Sequence, residues 1–147
     1  MSGKIVLLSL IIGLFACQNQ AELDKKLEDS KQKQILDIHD QLMSKMDKLE
    51  TVKEKLKNTH FASNPHFKDN LKDTLIVYNT FQEAYKMLDS GNNSMMNWMQ
   101  GFKMDYKGKT HEETMNYLNK QFIQVKAIDS MVSDGIKKAD ALLSVPK

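Results

Sequence analysis

Two groups of methionine carry the residues best suited to chemistry in this chain. His39, Met43 and Met46 fall at i, i+4 and i+7, along one edge of a helix, and Met95-Met96-Asn97-Trp98-Met99 gathers three thioethers beside the only Trp. Soft thioethers with an imidazole suit Cu(I), which makes His39, Met43, Met46, Met95, Met96 and Met99 a candidate copper set. The competing reading is packing. Met is a flexible core filler that sits well against aromatic rings, and apolar stripes at helical spacing usually face a core. Packing is the favoured expectation, with copper as the alternative and no other cofactor implied.

Other constellations fail on residue type or spacing. His111-Glu112-Glu113-Thr114-Met115 matches the zinc-protease H-E-x-x-H until Met stands where the second His is needed, so the helix lacks two imidazoles for one metal. His39 and Asp40 are sequence neighbours, about 100° apart on a helix, and Asp40 is expected not to orient His39 as a catalytic triad requires. No glycine-rich phosphate loop or nucleophile elbow occurs, and paired carboxylates lie only among Lys. No acid, base and nucleophile stand together, and the chain is read as non-enzymatic. His60 and His66 flank a turn as a surface pair, too few for a metal site.

All 21 basic residues are Lys and none is Arg, so bidentate Arg recognition of phosphate or guanine is absent. The net charge is +2 with the signs interleaved, which excludes the basic stripe of a nucleic-acid binder. A single Cys excludes a disulfide framework within one chain.

That Cys has its own reading. Met1 to Lys4 is a short positive start, and Ile5 to Ala16 is an uncharged apolar run ending at Cys17, the layout of a secretory signal. The run is shorter than the roughly 20 residues a membrane span needs. Leu14-Phe15-Ala16-Cys17 resembles the bacterial lipobox, in which the Cys is acylated and becomes the new N-terminus. Residues 1–16 are thus expected to be a lipoprotein signal peptide and 17–21 an acylated Cys with a short tether. Acyl chains such as palmitate anchor firmly, since each buried CH₂ contributes roughly 0.8 kcal/mol. Gln18 replaces the Asp that retains lipoproteins in the inner membrane, so the expected address is the cell envelope at the outer membrane. Gln20-Ala21-Glu22 is similar to the acidic export tag of surface lipoproteins, which leaves periplasm-facing and surface-exposed placements both open.

These residues must be positioned by helices. Residues 22–147 are expected to form one bundle domain, all-α, of three amphipathic helices packed up-down-up. From Glu22 to about Asn58 the apolar residues Leu23, Leu27, Ile35, Ile38, Leu42, Met46, Leu49, Val52 and Leu56 recur mostly three or four apart. Asn64-Pro65 reads as the cap and first residue of a second helix whose stripe is Leu71, Leu75, Tyr78, Phe81, Tyr85 and Leu88. Gly91 is a plausible terminator, making the second helix one kinked rod or two pieces. Lys103 to Lys109 is loop. Thr110 with Glu113 forms a capping box for a third helix carrying Met115, Leu118, Phe122, Val125, Val132, Ile136, Ala139 and Leu143, with Lys137 and Lys138 near its end.

If the first two helices are antiparallel about a turn at 60–65, Met95 to Met99 lie opposite about residues 26 to 31. That separates them from His39 by roughly 12 to 20 Å. Trp98 is expected in the core, with its indole N–H needing a partner.

The stretches Ile38-His39-Asp40-Gln41-Leu42-Met43-Ser44-Lys45-Met46 and Met95-Met96-Asn97-Trp98-Met99-Gln100-Gly101-Phe102, after a lipobox, resemble a group of small Bacteroidetes lipoproteins often labelled "viral A-type inclusion protein". The family pattern has an acidic residue near Gln41 and near Asn97, and often Pro where Ser44 stands, which leaves a polar pairing between the motifs open here. The resemblance implies a helical, coiled-coil-like lipoprotein and brings no catalytic residues. The expected role is a membrane-anchored module binding a protein partner of the envelope or serving its architecture.

Overall fold

The computed structural model describes the backbone of residues 3–59 and 71–144, and the side chains of 19–59 and 75–144. The side chains of the signal segment and Cys17, the Asn64-Pro65 cap and the His60/His66 pair lie outside the described residues. Three helices account for nearly everything described: α1 (Gly3–Lys57), α2 (Leu71–Gly101) and α3 (His111–Leu143). No described helix is long and apolar enough to cross a membrane.

The chain folds as the all-α three-helix bundle its periodicity predicts, and cross-helix contacts set the directions. Along α1, Glu28, Lys45 and Lys48 meet His111, Asp129 and Asp140 in the same order along α3, so these two helices are parallel. Along α2, Glu83 and Gly91 meet Lys138 and Val132 of α3, and Asp89 and Trp98 meet Lys53 and His39 of α1, each in reversed order, so α2 is antiparallel to both. At about 1.5 Å per residue the 33 residues of α3 give a bundle about 50 Å long.

The core repeats every seven residues. Phe81, Ala84, Leu88, Gly91, Met95 and Trp98 are buried along α2, and Thr114, Leu118, Gln121, Val125, Ile128, Val132, Gly135 and Ala139 along α3, always spaced three and four. Ile35, Leu42, Leu49 and Leu56 repeat at seven on α1. This is the spacing that seats side chains of one helix between four of the next in a left-handed bundle.

Several expected positions move. Leu23 and Leu27 are exposed, as are Leu75 and Tyr78 of the expected α2 stripe, while Thr114, Gln121, Ile128 and Gly135 join the core unforeseen. Gly91 ends nothing, because α2 runs unbroken through it. A Cβ there would stand 2.7 Å from Val132 Cγ2, and one at Gly135 would stand 3.0 Å from Leu88 Cδ2. The two glycines sit on facing helices and each receives the other's apolar neighbour, so they hold α2 and α3 at close approach. Lys137 and Lys138 fall short of the last turn of α3, and Lys138 pairs across to Glu83 instead.

The start of α3 forms as its sequence predicts. The Thr110 hydroxyl accepts from the Glu113 N–H, and the Glu113 carboxylate accepts from the Thr110 N–H at 2.8 Å, which holds its pKa below the usual carboxylate value. Before it, Gly108 takes a left-handed φ of 79° that turns the loop. Tyr106 anchors that loop to α1, its hydroxyl donating to Gln32 Oε1 at 3.0 Å.

Burial, with the Tyr117 phenol and Glu28 adding to it, pushes the Tyr106 pKa from 10.0 up to about 12. A raised pKa in the fold means the anchoring is fully present below pH 10 and is lost as pH climbs from 10 through 12. Absorbance titration at 295 nm of the chain against its Tyr106→Phe variant is expected to give a difference curve with its midpoint near 12. A midpoint at 10 would mean that the loop leaves this phenol in water.

Candidate functional site

Trp98 is the hub of the described side chains with chemical character. It stands on the core face of α2, 8% exposed, as its sequence setting predicts. Its ring centroid lies 5.8 Å from that of His39 on α1 and 4.8 Å from Phe102, with which it stacks. Phe102 in turn stacks on Tyr117, and Tyr106 tilts against the same ring. This aromatic run joins all three helices and the α2–α3 loop at one end of the bundle.

The contact between His39 and Trp98 overturns the expected register. α1 extends to Lys57 and α2 begins only at Leu71, so the pairing is centred well past residues 60–65. His39 against Trp98 and Lys53 against Asp89 place Met95 to Met99 level with the His39 to Met46 stretch, not with residues 26 to 31. The packing of layered side chains, rather than the position of the turn, decides this register.

The six candidate copper residues then divide. Met95 is fully buried in the core, and Met46 and Met99 are partly buried against it. His39 is partly buried, with its side chain 23% exposed. Met43 and Met96 are 41% and 46% exposed, so packing accounts fully for Met95, in part for Met46 and Met99, and not for these two. The expected Met-rich interior is therefore partly a Met-lined flank.

His39 and Asp40 do meet, contrary to expectation. His39 Nδ1 lies 2.8 Å from Asp40 Oδ1, because the carboxylate of an exposed helical neighbour can swing along the helix surface onto the ring. An ionised carboxylate only accepts, so Nδ1 carries the proton, and in the neutral ring the lone pair is on Nε2. This orients the ring.

His111, read in sequence as half of a failed zinc motif, is the first residue of α3. Its Nδ1 lies 2.8 Å from Glu28 Oε1 and its Nε2 lies 3.8 Å from Asp24 Oδ1, which ties α3 to α1. Among the described residues no group of three or more His, Cys, Asp or Glu is suited to hold a metal ion.

On the other side of Trp98, away from α1, a groove of about 510 Å³ runs between α2 and α3. Ser94, Asn97 and Gly101 form one wall and Gln121, Gln124 and Ala127 the other, with Trp98 and Ile128 between them. Sequence reasoning missed it, although small and amide residues flanking the apolar stripe at helical spacing were its signal. The groove is neutral and rich in hydrogen-bonding groups. Trp98 Nε1 is buried, and the partner expected for its N–H is absent among the described residues. An unmet buried donor costs about 1 to 3 kcal/mol. Trp98→Phe removes that donor while keeping an aromatic ring, and is expected to change stability by less than about 1 kcal/mol in urea unfolding. A loss well above that would show that the N–H is satisfied in solution.

Comparisons of the chain with protein-family models, with curated proteins and with solved structures find no match.

Proposed function

We propose that this chain is a lipid-anchored lipoprotein of the bacterial envelope, placed at the outer membrane, whose helical bundle performs no catalysis and serves as a binding or architectural module for a protein partner. One observation carries the reading: an uncharged apolar run from Ile5 ends in Leu14-Phe15-Ala16-Cys17, and that Cys is the only one in the chain. Acylation gives the solitary Cys a purpose and gives the bundle an anchor, since no described helix could span a membrane by itself. The resemblance to small Bacteroidetes lipoproteins points the same way.

The neutral α2–α3 groove supports a protein partner over a charged ligand. Asn97, Gln121 and Gln124 offer amide donors and acceptors. Charged side chains concentrate elsewhere, in cross-helix pairs such as Lys45 with Asp129 and Lys48 with Asp140.

Expression in a bacterium fed an alkyne analogue of palmitate tests the anchor. The purified chain is expected to carry the label and, by mass spectrometry, to begin at an acylated Cys17. Cys17→Ala should take up no label and keep residues 1–16. An unlabelled wild-type chain, or one beginning at another residue, would overturn the proposal.

A further inference from the structure

We infer that the outer seam between α1 and α2 is a binding site for a soft monovalent metal ion, Cu(I) or its analogue Ag(I), with three or four donors drawn from His39 Nε2 and the thioethers of Met43, Met46, Met96 and Met99. The geometry rests on two files of residues spaced seven apart. On α1, His39, Met46 and Lys53 repeat along one flank, and on α2 Asp89 and Met96 stand seven apart in the same way. Lys53 meets Asp89 at 3.1 Å, so both files line the α1–α2 seam. At the other end His39 lies against Trp98, which fixes the register from the opposite side. Met46 and Met96, each seven residues from the Lys53–Asp89 pair along antiparallel helices, therefore stand at the same level to within about one helical turn. Met43 stands between His39 and Met46 on the α1 side, and Met99 lies three residues beyond Met96 on the α2 side.

Three further features separate this seam from ordinary packing. Met43 and Met96 are 41% and 46% exposed, and neither fills the core. Single exposed apolar side chains are commonplace, but four thioethers at one level on facing flanks are not a scatter. The His39–Asp40 contact supplies the usual support of a metal-binding imidazole: the carboxylate takes Nδ1–H at 2.8 Å, which in the neutral ring puts the donor lone pair on Nε2. Thioether sulfur and neutral imidazole nitrogen form a soft set that selects Cu(I) and Ag(I) over Mg²⁺ or Ca²⁺, which demand oxygen. Met95 is not among the donors, because it is fully buried in the core.

The full-length Cys17→Ala chain in detergent removes the only thiol, so any soft-metal binding must come from thioethers and imidazole. Anaerobic competition with a chromogenic Cu(I) chelator is expected to give one equivalent bound with Kd below about 1 µM. Ag(I) is expected to quench the single Trp at the same stoichiometry, since Trp98 lies against His39. Adding His39→Gln, or Met43→Leu with Met96→Leu, should weaken binding at least about tenfold. The Met→Leu pair conserves volume at exposed positions, so helix content by circular dichroism should stay unchanged. Met104→Leu, exposed in the α2–α3 loop, should leave binding unchanged. Binding weaker than about 1 µM, or equal binding by the seam variants and the Met104 control, would overturn the site. The result is independent of acylation, because the tested chain cannot be lipidated at Cys17.

Discussion

Leu42→Ala is expected to lower the unfolding free energy by about 3 to 4 kcal/mol, whereas Leu75→Ala, the same chemical change, should alter it by less than about 0.5 kcal/mol. Both leucines belong to apolar stripes at helical spacing, and their sequence surroundings do not rank them. Leu42 is completely buried in the apolar core, so truncation removes its transfer free energy and leaves a cavity that close-packed neighbours cannot fill. Leu75 is 54% exposed and loses only partial contact. Urea unfolding followed by far-ultraviolet circular dichroism separates the two. Similar losses for both variants would mean that α2 is buried along a different face. The Leu42 loss corresponds to a melting temperature lowered by roughly 10 °C for a chain of this size.

Gly91→Leu is expected to cost about 3 kcal/mol, against the gain of nearly 1 kcal/mol that replacing Gly inside an exposed helix brings. The sign is set by one distance, the 2.7 Å between a Cβ at position 91 and Val132 Cγ2. Val132 is fully buried and held in α3, so neither side can yield without separating the helices. Gly91→Ala probes the same contact more gently. Combined with Val132→Ala, which trims the opposing methyls, the double variant should be more stable than the sum of the single losses predicts, by roughly 1 kcal/mol. Simple additivity would show that Gly91 is present for helix geometry alone.

These two experiments bear on how the candidate metal seam is held. Met43, Met46, Met96 and Met99 lie on two helices whose register comes from layered packing between all three. Loosening α2 from α3 at Gly91 would shift Met96 along α1 as well. The seam and the glycine contact are separate sites in sequence but share one mechanical element, α2. Stability measurements on the Gly91 variants, made alongside Ag(I) titration, would show whether the seam tolerates that shift.

The sequence by itself determined that this is a three-helix protein, because apolar spacing of three and four requires helices and each helix must bury its stripe against the others. It also determined the cap at Thr110, since a hydroxyl followed three residues later by a carboxylate satisfies helix N–H groups locally. Trp98 reached the core for the same reason as its apolar neighbours. The lipobox-like ending at Cys17 is likewise legible as a string and rests on no fold.

Only the tertiary structure decided the register, and with it the pairing of the methionines. A connection of uncertain length between α1 and α2 lets the helices slide by several turns without changing either pattern. The choice is made by which layers interlock and by cross-helix contacts such as Lys53 with Asp89 and Gly91 with Val132. The same nonlocal packing recruited Thr114, Gln121 and Gly135 to the core, residues whose own polarity or size argues for the surface. It also left Met43 and Met96 outside the core. Spacing along a helix is a local property, readable residue by residue, whereas the alignment of two helices depends on every layer they share.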